Sequence, residues 1–258
     1  MNYHDRLLQR QSLTGSRLCV GLDPRPQTEN RHAIEDELKR IVEATLPHAA
    51  AFKPNMAYFE AMGLYGIEIL DRLLTWRPRE VPLILDAKRS DIGETQKYYA
   101  QSYFEHWQVD AVTLNPFLGY DSLEPFLHAP GKGVYLLAVT SNPGSADVQR
   151  QRLADGRAVF ELVTALGERA ERAACATSVG YVVGLTNAAD VLQAMPDAPL
   201  LIPGLGAQGG DLASLRDTPR QAPILINVSR GISYAEDSLS YAQRAAMWKN
   251  KIADALRE

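Results

Sequence analysis

The chain has 258 residues, 46% of them hydrophobic, which supplies a full core and is too much for a disordered chain. Its formal net charge is −4 and it carries no long basic run, so nucleic acid and anionic membranes are poor partners. Two isolated cysteines, Cys19 and Cys175, form neither a disulfide framework nor a metal-binding spacing, and read as reduced structural residues of a cytoplasmic protein.

The first fifteen residues, MNYHDRLLQRQSLTG, are polar and amphipathic and lack the apolar centre of a signal peptide. They predict a helix over about residues 2–12 that covers one end of the fold. No stretch approaches the roughly 20 apolar residues of a membrane helix. Next come LCVGLD (18–23) as a first strand and a helix over 32–47, with Ile34, Leu38, Ile41, Val42 and Leu46 on one stripe. AAFKPN (50–55) predicts a second strand and 57–75 a helix; VPLILDAK (81–88) a third strand and 94–107 a helix. AVTLNP (111–116) is followed only by the short SLEPFL, and GVYLLAVT (133–140) by a long polar loop, 141–157, suited to covering a site. A helix over 159–174 precedes GYVVGLT (180–186), the short AADVLQAM, LLIPGLG (200–206), the short DLASLR, PILINVS (223–229) and a last helix over 240–257.

Most of these strands are continuously apolar, as in a parallel sheet buried on both faces. Eight strands alternating with eight helices, and no Pro/Gly/Ser linker, predict one (β/α)8 TIM barrel domain over residues 1–258. A doubly wound open sheet is the alternative arrangement.

In a barrel the chemistry sits at the C-terminal ends of the strands. There the sequence places Asp23, then Lys53 with Asn55, then Asp86, Lys88 and Asp91, then Asn115, then Thr140, Ser141 and Asn142, then Pro203, and finally Arg230. A single strand-end ion pair is most simply structural, but acids and lysines on three successive strand ends point to a reaction. Strand alternation puts Asp86 and Lys88 on one face. None of the five histidines falls at a strand end, which argues against a Ser-His or Cys-His nucleophile and a His-rich metal site. That leaves lysine framed by aspartates, which would hold it charged, a proton donor and not a free amine. PGLGAQGGD (203–211), with Gln208 and Gly209, and SRGI (229–232), with Arg230 and Gly231, follow strands seven and eight, where barrels bind phosphate.

DAKRSDIGET resembles the D-x-K-x-x-D-I-x-x-T signature of the orotidine 5′-phosphate decarboxylase family. CVGLDPRP, FKPNMAYFE, VTLNPFLGYDSLEPF, TSNPGS, IPGLGAQGGD and NVSRGIS extend the resemblance along nearly all the chain, to the longer bacterial (type 2) branch. Ser90 departs from it, standing where that branch is expected to have glycine. The resemblance implies decarboxylation of orotidine 5′-monophosphate to UMP, the last step of de novo pyrimidine synthesis, by a homodimer with no metal and no organic cofactor. It implies a charged array of Lys53, Asp86, Lys88 and Asp91, with Asp91, Ile92 and Thr95 reaching into the partner's site. Asp23 and Lys53 would address the ribose, Ser141 the pyrimidine with Pro203 packed near it, and Gln208 and Arg230 the phosphate. Asn115, Gly209 and Gly231 complete the expected substrate-binding set. The D-x-K-x-x-D core is shared with ketogulonate-phosphate decarboxylases and hexulose-phosphate synthases, so a metal-dependent sugar-phosphate decarboxylase or lyase is the alternative. A Schiff-base aldolase using Lys88 or Lys53 is a further alternative, which the surrounding carboxylates disfavour.

Overall fold

Each of the eight apolar runs forms a strand: β1 (Leu18–Leu22), β2 (Ala51–Pro54), β3 (Ile84–Arg89), β4 (Ala111–Leu114), β5 (Gly133–Val139), β6 (Ser178–Val183), β7 (Leu200–Ile202) and β8 (Ile224–Val228). The computed structural model describes residues 1–25, 31–173, 176–185, 189–204, 212–216, 218 and 220–256. The sheet is parallel, sequential neighbours pair from β3 to β8, and β8 pairs with β1 beside β2. Bridges from Phe52 to Leu83 and from Asn55 to Asp86 bring β2 against β3, so the sheet curls into a nearly closed barrel and not an open one.

The helices follow the predicted alternation: α1 (Tyr3–Thr14), α2 (Arg31–Thr45), then two helices where one was predicted, α3 (Met56–Glu60) and α4 (Leu64–Trp76). Gly63, with φ 67°, separates them in a left-handed conformation open to glycine. α5 (Gly93–Ala100) runs into one wider π turn, Gln101–His106. α6 (Val159–Arg172), α7 (Ala189–Ala194), α8 (Arg230–Ser233) and α9 (Tyr241–Ala255) complete the set. SLEPFL makes only 3-10 turns, and DLASLR contributes one such turn, Leu212–Leu215. Among the described residues no helix is long and apolar enough to cross a membrane.

Outward strand residues pack under the helices, while inward ones form a second cluster: Cys19, Ala51, Ile84, Ala111, Tyr135, Val182, Leu201 and Leu225. Tyr3 and Leu7 of α1 join this inner cluster and plug the N-terminal end of the barrel, as the amphipathic start predicts. Gly133 makes room for the plug: a Cβ there would lie 2.4 Å from the Tyr3 ring. Two residues further along the same strands the interior turns polar, with Lys53 after Ala51, Asp86 after Ile84, Thr113 after Ala111 and Asn227 after Leu225, all buried. The apolar layer thus becomes the floor on which a charged layer rests at the C-terminal end.

Candidate active site

Burying a carboxylate requires hydrogen bonds or counter-charge on its oxygens. Asp86 has both. Its Oδ2 accepts from Lys53 Nζ at 3.0 Å, and its Oδ1 from Lys88 Nζ at 2.6 Å and from Thr113 Oγ1 at 2.9 Å. Burial alone would raise the Asp86 carboxyl, but Lys53 and Lys88 outweigh it and hold the group well below the usual carboxylate range. Burial likewise disfavours charge on Lys53, yet Asp86 and Asp23 overcome it and raise the ammonium above the ordinary lysine range. The three side chains are not equally accessible. Those of Lys53 and Asp86 are 5% and 10% exposed, while that of Lys88 is 46% exposed. Lys88 is therefore the member of the trio most open to a ligand.

It faces a cavity of about 450 Å³ at the C-terminal end of the barrel. The walls bring together most of the strand-end residues picked out in the sequence: Asp23, Lys53, Asp86, Lys88, Ser141, Pro203 and Arg230. Asn55, Thr140 and Asn142 line it too, as do Tyr58 and Asn227, which sequence reasoning did not single out. The loop after β5 is tied at the rim, where Gln149 Oε1 accepts from Thr140 N–H at 2.7 Å. Asp23 Oδ1 and Asn227 Oδ1 are buried without a hydrogen-bond partner, so the cavity wall holds acceptors that are not already committed.

Some expected residues lie elsewhere. Asn115 caps the turn Pro116–Leu118, its Oδ1 accepting from Phe117 N–H at 3.1 Å. Gly231 packs against Trp248, whose Nε1 donates to its carbonyl at 3.1 Å. Asp91 Oδ1 accepts from the N–H of Ile92 at 2.8 Å, and Ile92 and Thr95 are exposed on the loop and first turn of α5. Gln208 and Gly209 lie outside the described residues, as does Cys175. Burial pushes the Cys19 thiol up to about 12, which leaves it no thiolate character. Among the described residues no three His, Cys, Asp or Glu side chains are grouped to hold a metal ion.

Lys88 and Asp86 share the inner face, as alternation predicts, but β3 does not run regularly between them. The β3–β4 register shifts between Leu85 and Arg89, and Lys88 has φ 48°. Such a bulge re-aims a side chain, here into the cavity. Beyond it, Arg89 turns outward to Glu60 and to Tyr103 Oη, the latter at 2.6 Å, and anchors the strand end to α3 and the π turn. Ser90 is not in the left-handed region, so the backbone has no need of glycine there; its Oγ is buried without a partner.

A cationic group is thus held at a fixed point on the wall of a phosphate-sized or larger cleft, with Arg230 at the far end of β8 as a second cation. Residues 16–245 match the family described as Orotidine 5′-phosphate decarboxylase / HUMPS family. The chain is 42% identical over 271 residues to an orotidine 5′-phosphate decarboxylase of Roseiflexus castenholzii, with 99% of this chain and 97% of that one covered. It is 44% identical to that of Methylibium petroleiphilum, with 95% of each covered. Among solved structures it is similar to Leishmania donovani OMP decarboxylase, with a TM-score of 0.86, 38% identity and 99% of both chains covered.

Proposed function

The chain belongs to the orotidine 5′-phosphate decarboxylase family and decarboxylates orotidine 5′-monophosphate to UMP in pyrimidine biosynthesis; we propose that Lys88 is the proton donor and that Asp86 and Lys53 fix it. The observation that carries this assignment is the asymmetry of the trio, in which Lys88 alone is substantially open to the cavity while both of its charged neighbours are buried. When the bond from C6 to the carboxylate breaks, its electron pair stays on C6 in the plane of the ring, where the π system cannot delocalise it. A preorganised ammonium beside C6 stabilises that charge as it develops. Its N–H proton then passes to C6, carbon dioxide leaves, and Lys88 is reprotonated from solvent. Asp86 contributes by anchoring both lysines in a place that does not reorganise during the step. Asp23 and Lys53 address the ribose, Ser141 the pyrimidine, and Arg230, with Gln208 and Gly209, the phosphate.

The proposed working unit is a homodimer of one-domain chains, residues 1–258, in which Asp91, Ile92 and Thr95 complete the partner's site. Two features support it. Asp91 turns to its own loop within one chain and does not line the cavity. Ile92, Phe117 and Leu118, at the ends of the adjacent strands β3 and β4, are exposed apolar side chains suited to being covered. The comparisons do not support the metal-dependent sugar-phosphate reading. The test is ultraviolet monitoring of orotidine 5′-monophosphate with purified protein, before and after EDTA. EDTA-insensitive turnover that Lys88→Ala abolishes while UMP still binds is expected; substantial turnover by Lys88→Ala would remove Lys88 from the chemistry.

A further inference from the structure

Lys88 occupies a backbone conformation that its own strand does not maintain. Its φ of 48° lies in the left-handed region, where a side chain is strained, and the β3–β4 ladder changes register around it. Its N–H is not left free. It donates to the side chain of Thr113 on β4, at 2.9 Å from Oγ1. The same hydroxyl donates onward to Asp86 Oδ1 at 2.9 Å, and that oxygen accepts from Lys88 Nζ at 2.6 Å. The chain of bonds is therefore closed: it leaves Lys88 at its backbone nitrogen and returns to Lys88 at its ammonium.

Thr113 is suited to this by more than its hydroxyl. It is 1% exposed, and its neighbours Val112 and Leu114 are fully buried on the opposite face, so the strand cannot rotate it away. It lies behind Asp86 and not on the cavity wall. We propose that Thr113 is a positioning residue for the decarboxylation, tethering the backbone and the ammonium of Lys88 at once. This rests on Lys88 being the proton donor. A valine in its place would fill the same space, yet would strand the Lys88 N–H and remove one donor from Asp86. The strained turn would then lose its restraint, and proton delivery tolerates displacement poorly: about 1 Å can cost on the order of 100-fold.

The experiment compares Thr113→Val, Thr113→Ser and Thr113→Ala. Turnover of orotidine 5′-monophosphate is measured together with hydrogen exchange at the Lys88 amide, which reads the tether without reference to activity. Thr113→Val is expected to lower kcat about 10- to 100-fold with KM changed less than about 3-fold, and to speed Lys88 exchange by at least about 10-fold. Thr113→Ser restores the hydroxyl and is expected to stay within about 3-fold of wild type in all of these. A Thr113→Val enzyme with wild-type kcat overturns the proposal, whatever its melting temperature. So does Thr113→Ser as damaged as Thr113→Val, because packing of the methyl and not the hydroxyl would then be responsible. Should Thr113→Val not fold, the contrast between Thr113→Ser and Thr113→Ala decides in the same way. Turnover retained by Lys88→Ala fails the donor assignment separately, and the exchange rates do not depend on that outcome.

Discussion

Removing Asp86 and removing Lys88 should both stop turnover, yet the two variants should part company in stability. The Asp86 carboxylate is buried and accepts from Lys53, Lys88 and Thr113 at 3.0, 2.6 and 2.9 Å. Asp86→Ala leaves the buried Lys53 ammonium without its nearest counter-charge, and breaking a buried pair in this way costs about 3–5 kcal/mol. Lys88 is different, because its side chain is half-exposed and such a pair contributes about 0–1 kcal/mol. Asp86 also keeps its bonds to Lys53 and Thr113 when Lys88 is cut back. The left-handed backbone at Lys88 further costs any residue with a Cβ about 1–2 kcal/mol. Lys88→Gly removes that strain and adds about 0.5–1 kcal/mol of chain entropy, so it should equal or exceed Lys88→Ala. One kcal/mol moves the melting temperature of a chain this size by about 2–4 °C. Asp86→Ala should therefore melt about 6–20 °C below wild type, Lys88→Ala within about 4 °C of it, and Lys88→Gly between about 4 °C below and about 6 °C above it. Calorimetric melting, run beside the turnover assay, reads the difference. An Asp86→Ala melting point within about 3 °C of wild type, or Lys88→Ala as unstable as Asp86→Ala, would refute Asp86 as the hub of the array.

The Asp86 carboxyl is held below its unfolded value, so the unfolded chain takes up the proton first and the stabilisation is lost as pH falls. The stability advantage of wild type over Asp86→Asn should be level from about pH 5 upward and shrink below about pH 4; denaturant melts that show it level to about pH 3 would contradict the assignment. Arg230→Ala should cost about 2–4 kcal/mol in kcat/KM, roughly 30- to 1000-fold, on orotidine 5′-monophosphate and little on phosphate-free orotidine; equal losses on both would take Arg230 out of the phosphate site. Mixing inactive Lys88→Ala and Asp91→Ala chains through dissociation and reassociation should restore activity, because about half the dimers are mixed and about a quarter of all sites regain both groups. A mixture no more active than its parents, with mixed dimers confirmed by mass spectrometry, would mean that each Asp91 serves its own chain.

Strands were legible because their burial on both faces leaves continuous apolar runs, and all eight appear where those runs lie. The break between α3 and α4 was not, because the apolar spacing continues past Gly63 and only its positive φ stops the helix. At the site, charge at strand ends is conspicuous, so Lys53, Asp86 and Lys88 could be read directly. Thr113 and Asn227 could not, since each hides in an apolar run, AVTL and ILINV. The signal for them is the period of two: they stand two residues beyond Ala111 and Leu225, which belong to the inner cluster. That signal becomes usable only once the inward face of each strand is known. Asn115 obeys the same period and still caps a turn, because the strand ends at Leu114 and a side chain beyond it answers to the loop. Lys88 shows the opposite case. Alternation predicts its face correctly, but a bulge and a left-handed residue put it there, and neither leaves a mark in DAKRS. What holds that irregular turn comes from the neighbouring strand, as a hydroxyl 25 residues away in the chain. A motif read along one strand can name the reacting group, while the restraint that aims it lies across the sheet, where only the register brings the two together.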